Sequence, residues 1–475
     1  MIRSAFAICS LYILSLVYTI SAVRLELRGT TNPKRSSALP SRLFSRAPTN
    51  GLVLQNHADI SYYANITLAN QQFRVLVDTG SSDLWVAGNV RDSQDSGKQA
   101  IINYAVNSVT GPIKLAELKF AGHTTTNQAF LQATPSKENH DGTGILGLGP
   151  SAGSFIAQVL PGEGAPVLDR IFSQNRTTPN YFTILLGRDK DPTDFFNGSV
   201  TVGEILADYT AILNEPKITI TKVPASQSDD QHLQMLLDAD GVVGPDGKPI
   251  TIISAVEQTP NKRQPTVVLD CGFTLPQVPR TLSDAIYSRF QGSEYRQIAG
   301  VGGAWTLPCV QEVNVTFKFA GRTYPLHPLD MSIDPESIGL PSITSPDGEK
   351  ACIGTFQPFT YDRGARPNYD MVLGMAFMRN VYTLFDYGDF VVNSTSLADP
   401  YVQLLSITDV AEAHQDFVTV RLGGQDTTAT RGVKGIKSQT RSTMYYIIAA
   451  VGAVAIVVAC SILFILRAKR KRRRR

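Results

Sequence analysis

The stretch Phe73-Arg74-Val75-Leu76-Val77-Asp78-Thr79-Gly80-Ser81-Ser82-Asp83-Leu84-Trp85-Val86 decides how the rest of the chain is read. It opens as a short β-type run and drives an acid into a turn built on Thr79, Gly80 and Ser81. Glycine lets that turn close tightly, and the backbone N–H and hydroxyl groups gathered in it favour the ionised form of a carboxylate. The device recurs 192 residues further on, where Val267-Val268-Leu269 leads into Asp270-Cys271-Gly272-Phe273-Thr274. Two acids delivered this way, so far apart, indicate one per lobe of a two-lobed body.

Length and composition suit such a body. With 475 residues, 43% of them hydrophobic, the chain is long enough for two lobes and still carries appendages. Its formal charge of +3 hides an asymmetry, because residues 48 to 420 hold 24 Lys and Arg against 39 Asp and Glu, about −15. An acidic body is a poor match for a polyanion, which sets nucleic acid aside as a partner. From near Leu54 to about Phe390, short β-type runs such as Phe73 to Val77, Val267 to Leu269 and Val313 to Phe319 are bounded by Gly, Asn, Asp and Pro. Helical patterns are few: Val167 to Ser173, and Leu282 to Phe290 with Ser283 as a cap. The expectation is a mainly β fold.

The two ends read differently. Arg3, the apolar run Ala5 to Ile20 and the small residues Ser21 and Ala22 mark residues 1–22 as a secretory signal, and the run is short for an uncleaved anchor. Residues 23–50 form a basic leader, with Lys34-Arg35 as a dibasic pair where a processing protease cuts. Residues 401–443 are expected to be a flexible stalk, rich in Gly, Thr, Ser and Lys from Arg421 to Thr443. In the expected transmembrane helix, 444–466, Tyr445 to Leu466 is uncharged and long enough at about 1.5 Å per residue to cross a layer of about 30 Å. Eight bases in the tail 467–475 place that end in the cytoplasm, which makes a single-pass type I protein with its body lumenal or extracellular, at the cell surface or in an endomembrane. A lipid-anchor signal ends in its hydrophobic tail instead, so the basic ending argues against one.

Asn65, Asn175, Asn197, Asn314 and Asn393 each open an Asn-x-Ser/Thr triplet, all within the acidic body, as a secretory route requires for glycosylation. Five cysteines are present: Cys9 in the signal, Cys460 in the span, and Cys271, Cys309 and Cys352 in the body. In an oxidising compartment the last three make one disulfide and one odd thiol.

The stretch Asp78 to Trp85 resembles the first active-site motif of the pepsin-like aspartic peptidases, and the likeness, similar to that of fungal aspartic proteases, runs over roughly residues 56 to 390. The family's apolar-apolar-Gly element is matched by Ile145-Leu146-Gly147 in the first half and Val372-Leu373-Gly374 in the second, and Ala376 to Asp386 is similar to its closing segment. The resemblance implies a bilobal fold with lobes at 51–205 and 206–400, a disulfide between Cys309 and Cys352, and Cys271 as the free thiol. It implies Asp78 and Asp270 as catalytic acids that share one proton and activate a water against a peptide bond, with an acidic optimum. No metal, cofactor or covalent intermediate is needed, and the partners are peptides or proteins met by a monomer. Thr79, Gly80, Ser81, Gly272 and Thr274 then surround the acids and the substrate. Tyr104 matches the tyrosine of the family's flap and pairs with Trp85, although Ala105, Val106 and Asn107 stand where flap glycines usually follow.

The second motif departs from the family pattern. Cys271 replaces a threonine that bonds across the lobes and offers only a weak S–H donor, and Phe273 lacks the hydroxyl that Ser81 gives Asp78. A lost hydrogen bond to a carboxylate is worth about 1.5–3 kcal/mol, so Asp270 is expected to be the more easily protonated acid. The alternative reading is a pepsin-like pseudoenzyme, weak or inactive, that keeps the cleft to bind peptides.

Overall fold

A computed structural model describes residues 51–430 apart from 106, 175–177, 190, 195 and 392–397. The expected signal, leader, transmembrane helix and basic tail, with Asn175 and Asn393, lie outside the described residues. Among the described residues no helix is long and apolar enough to cross a membrane.

The first acid stands at the end of the strand Gln71–Asp78, in which Phe73, Val75 and Val77 alternate inward as a half-buried strand requires. That strand runs parallel to Thr143–Gly147, with Asp78 opposite Gly147, and Leu84–Ala87 returns antiparallel on the far side of the same strand. The second half repeats the plan. Thr266–Leu269, buried at every position, lies parallel to Met371–Leu373, against which Gln277–Val278 is antiparallel. Continuous apolar runs are what parallel strands covered on both faces need. In both halves the glycine closing the apolar element sits under the acid's turn. A Cβ on Gly147 would stand 2.5 Å from Asp83 N, and one on Gly374 2.2 Å from Phe273 O.

These strands belong to an eight-stranded sheet in the first half and a five-stranded one in the second. A six-stranded antiparallel sheet draws on both halves, its strands lying in the order Gly51–Val53, Gly198–Val202, Tyr181–Leu186, Val381–Asp386, Tyr401–Ser406 and Ile218–Thr219. One continuous apolar core runs from Val75 and Val77 to Val267, Leu269 and Phe385, so the two halves share their main source of stability. Each such fully buried side chain contributes about 1.5–3 kcal/mol.

A buried ionic network ties the start of the body to its end. Arg379 donates to Asp330 Oδ1 at 2.6 Å and to the Asp59 carbonyl at 2.9 Å, and Arg188 donates to Asp330 Oδ2 at 2.6 Å. Burial would raise the Asp330 carboxyl, but the two guanidinium groups hold it below the usual carboxylate range. Next to it, burial and Arg188 pull His327 down to about 3. His327 Nδ1 accepts the Leu329 N–H at 3.1 Å, so Nε2 carries the ring proton and faces Asp416 Oδ2 at 3.4 Å.

Three local expectations are corrected. Residues 401–422 are not stalk, because Tyr401–Ser406 is the fifth strand of the six-stranded sheet and Val410–Leu422 is a helix that buries Ala413, Phe417 and Val418. Ser283 does not cap its helix, which runs Arg280–Tyr287 with Pro279 at the cap. Its hydroxyl instead donates to Phe356 O at 2.7 Å from inside the helix. The strand expected from Val313 is confined to Thr316–Phe319. Cys309 and Cys352 are joined, Cα to Cα 4.7 Å, and Cys271 is free and buried. Closing a loop of that length stabilises the fold by about 4 kcal/mol in the chain-entropy model.

Candidate active site

Each acid is held first by its own turn. Asp78 Oδ1 accepts the Gly80 N–H at 2.8 Å and Oδ2 accepts the Ser81 hydroxyl at 2.5 Å. Asp270 Oδ1 accepts the Gly272 N–H at 2.7 Å, and the Phe273 N–H adds a second backbone donor, but no hydroxyl reaches it from its own turn. The expected asymmetry is therefore present: three residues after each acid stands Ser81 in one turn and Phe273 in the other.

The two turns face each other. A Cβ on Gly80 would lie 2.1 Å from Asp270 Oδ2, and one on Gly272 would lie 2.2 Å from Asp78 Oδ1. Glycine is thus required at both positions by the opposite carboxyl as much as by its own turn. Both acids are 7% exposed, and their carboxyl groups lie side by side, since the same Cβ on Gly272 would also stand 3.0 Å from Asp270 Oδ1. Burial and the negative charge of Asp78 push the Asp270 carboxyl well above the usual carboxylate range.

Behind the acids the lobes are bonded together. Thr79 Oγ1 donates to Leu269 O at 2.9 Å and accepts the Cys271 N–H at 2.9 Å. The Cys271 thiol donates to Val77 O at 3.3 Å, so it makes in weaker form the bond expected of a hydroxyl. Burial and the two nearby carboxyls push the thiol up, which leaves it a packing group and not a nucleophile.

Tyr104 lies just past the strand Gln94–Asn103, in the tight turn before Ser108–Phe120, where its N–H donates to Asn107 O at 2.8 Å. Trp85 Nε1 donates to the Tyr104 hydroxyl at 2.8 Å, and that hydroxyl also bonds Ser81. A relay of polar side chains thus runs from Trp85 through Tyr104 and Ser81 to Asp78. The desolvated Tyr104 phenol, beside Asp78, is pushed well above its ordinary value. Thr274 is placed next to the dyad, but its hydroxyl donates to Ile60 O at 2.7 Å. Asn65, Asn197 and Asn314 are exposed and belong to neither turn.

Two features of the site escaped sequence reading. Asp83, within the first motif, is a structural acid: Ser154 Oγ and the N–H groups of Phe155 and Ile156 donate to it at 2.5, 2.8 and 3.2 Å. The second is an aromatic cluster beside Asp270, made of Phe273, Phe359, Tyr361 and Tyr369. The odd residue Phe273 was its one visible signal, since the other three come from a loop that carries no motif.

Residues 61–397 match the family model of the eukaryotic aspartyl proteases. Over 371 residues the chain is 25% identical to the major aspartyl peptidase 1 of Cryptococcus neoformans var. grubii, covering 71% of this chain and 69% of that one. It is 24% identical to the vacuolar protease A of Aspergillus fumigatus over 372 residues, 72% and 80% of the two chains. The crystal structure of an aspartic proteinase from Irpex lacteus superposes with a TM-score of 0.55 at 16% identity, over 76% of this chain and 99% of that one, which bears on the fold alone. With a paired-turn architecture, a bilobal β fold and a family match over most of its body, the chain belongs to the eukaryotic aspartyl proteases and is an aspartic-type endopeptidase.

Proposed function

We propose that this endopeptidase cuts proteins at acid pH with Asp78 and Asp270 holding one proton between them, from a body displayed on the lumenal or outer side of a membrane. The observation that carries the reading is the close approach of two buried carboxyls, each cradled by its own turn and both within about 3 Å of where one Cβ on Gly272 would stand. Two like charges at that range do not both ionise cheaply, so the pair keeps a proton over a wide span of acid pH. The turns place that proton. Asp78, given a hydroxyl and an N–H, is the better held anion, and Asp270, given only N–H groups, is the acid.

Asp78 then takes a proton from a water bound between the pair, the resulting hydroxide equivalent attacks the peptide carbonyl, and the Asp270 proton moves toward the developing oxyanion. Collapse of the tetrahedral intermediate breaks the C–N bond, and the amine leaves with the proton that Asp78 gained. Tyr104, tethered by Trp85, closes the cleft above Asp78, and Gly80 and Gly272 let each turn come up against the opposite carboxyl. The likeness to a vacuolar protease, with the sequence signals at both ends, supports a membrane-anchored enzyme of the secretory pathway. Glycans on Asn65, Asn197 and Asn314 are compatible with the exposure of those residues.

Phe273 favours a second reading, a peptide-binding pseudoenzyme. Against it stand the retained Thr79 and Cys271 bonds and the intact N–H cradle of Asp270. Full-length protein purified in detergent and assayed on a peptide library from pH 3 to 8 separates the two. The enzyme reading expects cleavage that peaks in acid, is blocked by a statine-type peptide and falls at least 1000-fold in Asp78→Asn and in Asp270→Asn. Tight statine-peptide binding with no cleavage at any pH would establish the binder instead.

A further inference from the structure

The helix Val410–Leu422 is docked on the body by contacts of two kinds. Its apolar side chains Ala413, Phe417 and Val418 are buried, and that part of the docking does not depend on pH. Two titratable side chains, Asp416 and His414, make the polar contacts with the body.

Asp416 is 4% exposed and meets a buried cluster, in which an oxygen of its carboxyl and atoms of Asp191 and His327 lie within 4.8 Å of one another. Its Oδ1 accepts the Thr193 hydroxyl at 2.7 Å and its Oδ2 faces His327 Nε2 at 3.4 Å. Both partners are uncharged. His327 Nδ1 accepts the Leu329 N–H at 3.1 Å, so the neutral ring keeps its one proton on Nε2, where it also denies a cation that nitrogen. The guanidinium of Arg188 is turned instead to Asp191 and Asp330, each at 2.6 Å.

An ionised Asp416 is thus a buried carboxylate with no cation bonded to it among the described residues, and a protonated one escapes that cost. Burial, Asp191 and Asp194 push its carboxyl up, against the Thr193 bond and the charge of Arg188. A cavity of about 30 Å³ adjoins the cluster, lined by Asp409 and Glu412 of the helix with Asp191, Asp194 and Asp416, and it has room for a water.

His414 is set between two acids, with Nδ1 2.9 Å from Glu312 Oε1 and Nε2 3.4 Å from Asp426 Oδ2. A neutral imidazole has one N–H and serves one of them, whereas the imidazolium donates to both. Glu312 above all, and then Asp426, hold the ring charged to higher pH than an ordinary histidine. Glu312 follows closely on Cys309 of the disulfide and Asp426 lies past the end of the helix, so the charged ring ties the helix to the body and to the chain beyond it.

We propose that Val410–Leu422 is an acid-set clasp, closed on the body when Asp416 and His414 each carry a proton and loosened as the surroundings become neutral. The two protons act in the same direction. The docked Asp416 holds its proton more tightly than the freed one, so its share of the docking declines as pH rises from about 4, while the share of His414 is complete below about pH 6.5 and is lost above it. Loosening uncovers Phe417 and opens Asp191 and His327 to water. The clasp stands apart from the peptidase reading, because neither acid turn contributes a residue to it.

The test is amide hydrogen exchange on the full-length protein in detergent from pH 5 to pH 8, with each rate divided by its intrinsic rate at that pH. Protection of 410–422 is read against the strand Val381–Asp386 in the same sample. Wild type is expected to lose protection in the helix by about tenfold across that range, the worth of one hydrogen bond to a charged group, while the strand keeps its own. Asp416→Asn, whose amide still accepts from His327 and donates to the Thr193 oxygen, flattens the lower part of the curve. His414→Gln flattens the upper part, and so does Glu312→Gln, which removes the same contact from the body's side without altering the helix. Equal protection of the helix at pH 5 and pH 8 in wild type overturns the clasp. So does a loss shared equally by the strand, which is unfolding of the whole body, or a slope that survives in the Asp416→Asn, His414→Gln double variant.

Discussion

Thr79 and Cys271 lock the two lobes through an unequal exchange, in which one hydroxyl makes two bonds at 2.9 Å and one thiol makes a single bond at 3.3 Å. The stabilisation is therefore concentrated on the threonine. Thr79→Ala removes the donor to Leu269 O and strands the buried Cys271 N–H, a loss of about 2–3 kcal/mol. Cys271→Ala removes one weak donor and costs less than about 1 kcal/mol beyond its small cavity. Urea unfolding of both variants checks this, and equal losses would show that the lock is shared evenly.

The raised Asp270 carboxyl makes stability depend on pH in a stated direction. Its folded value lies above the unfolded one, so above about pH 4 the folded chain holds a proton that the unfolded chain releases, and stability falls as pH rises. The groups facing it are Asp78 across the cleft, Cys271 beside it and the Tyr361 and Tyr369 phenols. Asp270→Asn has no such proton to lose. Its stability relative to wild type is expected to grow steadily from pH 4 to pH 7 in urea unfolding at constant ionic strength, and a difference that does not change with pH contradicts the shift.

Ser81 and Phe273 act on the two acids unequally. Ser81→Ala takes the hydroxyl from Asp78 and from Tyr104, lowering kcat/KM roughly 10- to 100-fold. Phe273→Thr supplies the missing donor on the other side and moves the basic limb to lower pH, since the ionised Asp270 gains a bond. Profiles measured on one good peptide decide it. An unchanged profile in Phe273→Thr removes the argument that the turns place the proton.

The helix Val410–Leu422 is part of the body, and its attachment is testable. Phe417 is fully buried, and Asp416 accepts the Thr193 hydroxyl at 2.7 Å. Phe417→Ala is expected to cost about 3–5 kcal/mol or to release the helix. Limited proteolysis then cuts within 409–422 in the variant and not in wild type; equal protection in both would mean that the helix is held by other contacts, such as Arg421 donating to Ser332 O at 2.8 Å.

The residues by themselves carried the two acid turns and the mainly β class, because each of these is written in adjacent residues whose local chemistry is self-sufficient, whereas the apolar-Gly elements and the Cys309–Cys352 pair were carried by the resemblance to a family. An acid in a tight glycine turn needs N–H donors from its own next few residues, and Gly80 and Gly272 supply them. Only the folded chain decided the rest. That the residues 401–422 are strand and helix depended on partners such as Val381–Asp386, far from them in sequence. That Asp83 is structural depended on Ser154, 71 residues away, and that the weak thiol of Cys271 finds Val77 O depended on the meeting of two lobes. The aromatic cluster beside Asp270 was invisible for the same reason: Phe273 and Tyr361 are 88 positions apart, and the contact between their rings exists only once parallel strands bring the loop back beside Asp270.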